Sequence, residues 1–211
     1  MAPSRLFVKI CGITRSRDAM VAAEAGADAV GFVFWRKSPR AIDPKGARAI
    51  AAGLPSSIVR VGVFVDPRPG ELSRIADEAE LDILQLHGAE SPESLADLPR
   101  RCWKAVGVGP DFVAGDALRY EGRVAGILLD TRSEGAWGGT GRTFDWSLAQ
   151  EVRKGASFLV LAGGLDPENV EAAVRAVRPD GVDVSSGVES SPGRKDEGRV
   201  RAFIEAARRA S

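Results

Sequence analysis

Two side chains in this sequence are suited to moving protons and stand where short apolar runs end. Cys11 follows the run LFVKI and precedes Gly12. Asp130 closes GILLD, so a carboxyl group terminates an otherwise apolar segment. A carboxylate there costs free energy unless partners compensate for burial, which favours a chemical role for Asp130 over a structural one. A thiol becomes a base once ionised, and nearby cations or a substrate proton would make its thiolate accessible. Position alone allows Cys11 equally to be an inert core thiol, the reading given to Cys102 at the head of another apolar run. Lys9 stands two residues before Cys11, and on a strand both side chains face the same way. There Lys9 would pair with a carboxylate such as Asp183 or assist the thiol, pairing being the commoner use. His87, after LQL, would contact a ligand or cap its loop.

A second set of residues suits an anion. Gly163-Gly164 follows FLVLA and leads toward a helix start, while Ser185-Ser186-Gly187 follows VDV. Glycine lets a ligand approach backbone N–H groups, and serine adds a hydroxyl donor. Tight turns between strands and helices would use the same residues.

These groups need elements to hold them. Short β-rich apolar runs at 6–10, 29–33, 59–65, 83–86, 103–108, 126–129, 158–161 and 182–184 alternate with helical segments. The helices are expected over 16–25, 44–52, 71–80, 92–98, 111–118, 146–154, 167–177 and 197–209. Asp166-Pro167-Glu168 and Ser91-Pro92-Glu93 each offer a cap, a first-turn proline and an acid, while Glu24-Ala25-Gly26 ends a helix at glycine. The stretch 133–143 reads as a loop. Strictly alternating strands and helices require a parallel sheet, and continuous apolar strands imply burial on both faces. The fold class is α/β, and eight repeats predict a (β/α)₈ TIM barrel forming one domain over residues 1–211, with a doubly wound open sheet as the competitor. In a barrel, the residues just beyond each strand share one face, where active sites lie. Cys11, the segment Arg36 to Arg40, Asp66, His87, Asp130 and the two Gly/Ser loops all fall there. The loops after strands 7 and 8 are the usual phosphate cradle of this fold.

Composition removes several classes of partner. The 29 basic and 29 acidic residues cancel, leaving no footprint for nucleic acid or an anionic membrane. No apolar run reaches membrane-spanning length, and the start MAPSRLFVKICG does not read as a secretion signal. One histidine and two separated cysteines make no metal site, and the cysteines suit a reducing, cytoplasmic location. The mixed helix faces suit a monomer, although an apolar patch would support a homodimer.

The motifs also carry a resemblance. VKICGIT, GADAVGFVF, KSPR, VGVFVD and LQLHG resemble, in order, segments of the phosphoribosylanthranilate isomerases. LLDT, GGTGRTFDW, LAGGLDPENV and DVSSGVESSPGRKD continue the resemblance over nearly the whole chain, and KICG with DVSSGVE…PGRKD is its most specific part. The resemblance implies an Amadori rearrangement of N-(5-phosphoribosyl)anthranilate in tryptophan biosynthesis, without metal or organic cofactor. It implies Cys11 as general base, Asp130 as general acid and Arg40 as the anchor of the anthranilate carboxylate. The phosphate of this small-molecule substrate would fall on Gly163, Gly164, Ser185, Ser186 and Gly187, with His87 also in the binding site. Other phosphate-binding barrels fit less well: an epimerase would want a histidine-rich metal site, and a histidine-pathway sugar isomerase would want aspartates in both catalytic positions. A non-enzymatic phosphometabolite-binding protein would leave the thiol and carboxyl unused.

Overall fold

The computed structural model describes residues 5–68, 70–95, 98–131 and 143–210. Eight parallel strands close into a barrel in chain order: β1 (Phe7–Ile10), β2 (Ala29–Val33), β3 (Val59–Phe64), β4 (Ile83–Leu86), β5 (Arg101–Val108), β6 (Gly126–Thr131), β7 (Leu159–Leu161) and β8 (Gly181–Val184). The last strand pairs with the first, Lys9 lying opposite Asp183. The helices around the strands are α1 (Ser16–Glu24), α2 (Pro44–Ala51), α3 (Glu71–Glu78), α4 (Ala114–Leu118), α5 (Trp146–Arg153), α6 (Val170–Val177) and α7 (Glu197–Arg209). The predicted barrel is therefore present. The predicted loop over 133–143 lies, except for Thr143, outside the described residues.

Local chemistry explains several boundaries. Asp43 accepts from Gly46 N–H and precedes Pro44, and Asp196 likewise accepts from Arg199 N–H, so α2 and α7 begin at capped ends. Three helix expectations require correction. The helix expected over 111–118 begins only at Ala114, because the preceding residues form a turn closed by Phe112 N–H on the Gly109 carbonyl. After β4, where a helix over 92–98 is expected, Pro92–Leu95 form a 3₁₀ turn, and residues 96 and 97 lie outside the described residues. A proline and a first-turn acid open such a turn as readily as an α-helix. Asp166 does accept from the N–H groups of Glu168 and Asn169, but it closes a turn, and α6 starts only at Val170. A short hairpin, β9 (Glu189–Ser191) with β10 (Arg194–Lys195), joins β8 to α7 and was absent from the sequence expectation.

The two-residue period of the strands sorts the side chains into two cores. One alternate set packs beneath the helices, including Val8, Ile10, Val30, Phe32, Leu84 and Leu86. The other faces the barrel axis. Near the N-terminal ends of the strands it is apolar, with Ala29, Val61, Ile83, Trp103, Leu128 and Val160 in one cluster. Phe7 meets Trp103 edge-on at 5.6 Å, while Phe158 stacks on it at 5.9 Å. Above this layer Lys9 Nζ meets Asp183 Oδ2 at 2.8 Å, with the two side chains 0% and 8% exposed. Cys11, Val33 and Val63 form the next layer, against Trp35.

Replacing Lys9 by methionine would strand the Asp183 carboxylate in the barrel. Losing one partner of such a pair costs about 3–5 kcal/mol, whereas replacing both by apolar residues is nearly neutral. Urea unfolding of Lys9→Met should show that loss, and a double variant, Lys9→Met with Asp183→Leu, should recover most of it. A loss under about 1 kcal/mol for Lys9→Met would mean that the pair does not hold the interior.

Candidate active site

The C-terminal ends of the strands surround a small cavity of about 70 Å³. Cys11 reaches it from β1, His87 from β4, Asp130 from β6, and Asp183 and Ser185 from β8. Arg40 and Trp35 come from the segment after β2, and Gln85 lies deeper on β4. The strand period explains the grouping, since Lys9 and Cys11, Gln85 and His87, and Asp183 and Ser185 are each two residues apart. Five sequence candidates (Cys11, Arg40, His87, Asp130 and Ser185) thus share one cavity wall. Gly163, Gly164, Ser186 and Gly187 lie instead in the two adjoining loops. Asp66 stands apart from this wall: its carboxylate accepts from Ala89 N–H, and its backbone takes a positive φ of 44°.

Asp130 is 8% exposed and held from two sides. Its Oδ1 accepts the N–H of Thr131 at 2.8 Å, and His87 Nε2 stands 3.3 Å from its Oδ2. Gly163 presses close to this carboxyl: a Cβ on it would lie 3.0 Å from Asp130 Oδ1, and its φ is +81°. Glycine is needed there on both grounds. Gly187 packs its backbone directly on the Leu165 carbonyl, where a side chain has no room, and so joins the loops after β7 and β8. Arg199 donates Nε–H to the Gly187 carbonyl, and Asn169 Nδ2 donates to the Gly164 carbonyl. Both candidate anion loops are thereby fixed through their carbonyls.

Cys11 sits among charges. Burial pushes its thiol above the ordinary value, with Asp183 adding to the rise while Lys9 and Lys195 oppose it. The cations expected to favour the thiolate are therefore present, but burial outweighs them. For Lys9, burial pulls the pKa down, yet Asp183 and Cys11 together hold it above the usual lysine value. Cys102 is pushed up to about 12, chiefly by burial, and its Sγ contacts the Trp103 carbonyl at 3.4 Å, in keeping with a core thiol.

Two charged residues of this region were not among the sequence candidates. Glu189 accepts from Arg40 through both oxygens, at 2.9 and 2.6 Å, and from Lys195 Nζ at 2.9 Å. Lys195 Nζ also donates to the Ser185 carbonyl at 3.0 Å. The signal for them was Pro192-Gly193, a dipeptide suited to a two-residue turn, which sets Glu189 and Lys195 on facing strands. Burial would raise the Glu189 carboxyl, but its bonds to Arg40 and Lys195 hold it below the ordinary carboxylate value.

An eight-stranded parallel barrel with its reactive side chains gathered at one mouth is built as a (β/α)₈-barrel enzyme. The family model described as N-(5′-phosphoribosyl)anthranilate (PRA) isomerase matches residues 8–206. The N-(5′-phosphoribosyl)anthranilate isomerase of Pseudomonas aeruginosa (strain LESB58) is 53% identical over 202 residues, 95% of this chain and 94% of that protein. The crystal structure of phosphoribosyl anthranilate isomerase from Thermotoga maritima is 47% identical, with a TM-score of 0.90 over 96% of this chain and 98% of that one. A phosphoribosyl anthranilate isomerase crystallised with reduced 1-(o-carboxyphenylamino)-1-deoxyribulose 5-phosphate has a TM-score of 0.86 at 45% identity, covering 96% and 98% of the two chains. The chain belongs to the N-(5′-phosphoribosyl)anthranilate isomerase family and is an isomerase of tryptophan biosynthesis that catalyses an Amadori rearrangement.

The Glu189 cluster has a consequence for stability. A carboxyl whose folded pKa lies below its unfolded value of about 4.5 stabilises the fold above that pH. That contribution disappears as pH falls through the folded pKa. Glu189→Gln should therefore be less stable than the parent at pH 7, and the gap should narrow as pH falls below about 4.5. Urea unfolding across this range measures it; a gap independent of pH would contradict the ionised cluster.

Proposed function

We propose that this isomerase performs its Amadori rearrangement with Asp130 as general acid and Cys11 as general base. The observation that carries the reading is that these two groups face one cavity from non-adjacent strands, so that both can reach a single sugar. Asp130 protonates the ribose ring oxygen as the C1′–O bond breaks, and the anilino nitrogen lone pair forms the iminium. The Cys11 thiolate then removes the C2′ proton, the electron pair neutralises the iminium, and the resulting enolamine tautomerises to the ketone. Both steps are proton transfers that positioned side chains supply. His87, beside Asp130, orients the carboxyl.

Binding groups surround this pair. The Arg40 guanidinium, on the cavity wall, is suited to the anthranilate carboxylate through charge-assisted bonds. The loops containing Gly163-Gly164 and Ser185-Ser186-Gly187 are suited to the phosphate by their place after β7 and β8. Gln85 Oε1, Asp183 Oδ1 and Ser185 Oγ are buried and without hydrogen-bond partners among the described residues, which suits a hydroxyl-rich ligand. Substrate-anchoring at both ends converts binding energy into orientation. The cytoplasm suits an enzyme whose base must stay a reduced thiol.

Cys11→Ser and Asp130→Asn should each lower kcat by about two to four orders of magnitude with the fold intact by circular dichroism. Because both act in linked steps on one substrate, the double variant should be much less than additively worse. The base works only as thiolate, and burial raises its pKa, so the rate of Cys11 alkylation by iodoacetamide should still be rising with pH above the ordinary thiol value of 9.0. Parent-like turnover by Cys11→Ser would make the thiol a bystander.

Arg40→Ala should raise KM about tenfold or more with a smaller change in kcat, since the lost contact anchors the substrate away from the reacting carbons. Unchanged steady-state constants would remove Arg40 from the binding site.

A further inference from the structure

The β9–β10 hairpin carries a charge cluster whose chemistry is not used by the acid–base pair. Its Glu189 and Lys195 side chains are 4% and 1% exposed. Glu189 Oε1 accepts from Arg40 Nε, Lys195 Nζ and the Gly193 N–H, while Oε2 accepts from Arg40 Nη2. Lys195 is fixed at both its ends: its backbone N–H donates to Asp18 Oδ2 at 3.0 Å and its Nζ to the Ser185 carbonyl. Asp18 is in turn held by the Arg15 guanidinium at 3.0 and 2.8 Å. The hairpin is thus anchored to α1 on one side and to the cavity on the other.

We propose that Glu189 and Lys195 act as a positioning unit for this site, Glu189 setting the Arg40 guanidinium and the Lys195 ammonium favouring the Cys11 thiolate. The proposal rests on the reading of Arg40 as carboxylate anchor and Cys11 as base. Glu189 takes two of the five guanidinium N–H donors and leaves the others for a ligand. A side chain with so many rotamers loses less freedom on binding when it is already held. Two cations also share one carboxylate, so the cluster retains a net positive charge. The charged groups around Cys11 are Lys9 from β1, Asp183 from β8, Arg40 from the segment after β2, and Lys195 from β10, whose Nζ bonds the carbonyl of Ser185 on the same cavity wall. A Cβ on Gly12, next to Cys11, would lie 2.6 Å from Arg40 Cδ and 2.9 Å from Ser185 Oγ. His87 from β4 and Asp130 from β6 line the same cavity. Lys9 and Asp183 neutralise one another as an ion pair. Lys195 and Arg40 therefore supply the excess positive charge, and Arg40 is committed to substrate.

Two readouts separate this role from a merely structural one. Iodoacetamide alkylation of Cys11 against pH, followed by mass spectrometry in a Cys102→Ala background, reads thiolate formation without turnover. Lys195→Met removes a cation, so the curve should move to higher pH, with alkylation at pH 8 slowed about threefold to tenfold. Glu189→Gln should raise KM about tenfold with kcat changed less than about threefold, and Glu189→Asp should recover part of the loss. In an Arg40→Ala background Glu189→Gln should add nothing further to KM. Superimposable alkylation curves for parent and Lys195→Met, or full additivity of Glu189→Gln with Arg40→Ala, would overturn the proposal. If Glu189→Gln fails to fold, Glu189→Asp, which keeps the charge at shorter reach, must show the KM shift by itself. Active Cys11→Ser would remove the base assignment, yet the alkylation curves would still decide whether Lys195 acts on the thiol.

Discussion

The ion pair between Lys9 and Asp183 is the interaction on which the interior depends, because it crosses the seam where the barrel closes. The residues are 174 positions apart, and the pairing of β1 with β8 sets them side by side. Slipping β1 by one residue against β8 would turn Lys9 and Cys11 toward the helices and leave Asp183 unpaired inside the barrel. A buried ion pair adds little net stability, but an unpaired buried charge is costly, so the pair penalises every wrong closure. The same bond leaves Cys11 directly above a neutralised lysine. Gly31 on the neighbouring strand makes the arrangement possible, since a Cβ there would lie 2.7 Å from Cys11 Sγ and 3.0 Å from Lys9 Cε.

Above that pair the site balances burial against charge. Burial disfavours the thiolate, and Lys9 with Lys195 moderates the effect without reversing it. A thiol with a raised pKa is ionised less often but is a stronger base when it is. Lys195 is subject to the same opposition: burial lowers its pKa while Glu189 favours the ammonium. The two lysines near Cys11 are thus each paired with a buried carboxylate, which ties the chemistry at β1 to a hairpin far along the chain.

What the sequence made legible was whatever depends on short-range pattern. Eight apolar runs fell on the eight barrel strands, and the two-residue period placed Lys9 and Cys11 on one face. Cys11, His87, Asp130 and Ser185 were found because residues just past parallel strands share one end of the barrel. Helix extents were less legible, because Asp166-Pro167-Glu168 and Ser91-Pro92-Glu93 stabilise a single turn as well as a helix. Glu189 was missed for a different reason. Its partner Arg40 is 149 residues away, and no local pattern distinguishes a carboxylate that will be buried against a guanidinium from one left in water. The segment 132–142, which includes part of the GGTGRTFDW motif, lies outside the described residues.

The two ends of the barrel use the same residue type in opposite ways. At the N-terminal end, Asp28, Asp82 and Asp180 each precede a strand and accept a neighbouring strand's first N–H groups, from Val8, Arg60 and Leu159. Each also meets an arginine, respectively Arg208, Arg60 and Arg153. These carboxylates bind strand starts together and have both oxygens engaged. At the C-terminal end, among the described residues, Asp183 keeps one buried oxygen without a hydrogen-bond partner, and Asp130 accepts the Thr131 N–H beside the His87 ring. Free acceptor capacity in a buried carboxylate is destabilising by itself. It is tolerated at only one end because the capped aspartates at the other, together with the paired Lys9, hold the strands in register while the mouth remains free to engage a substrate.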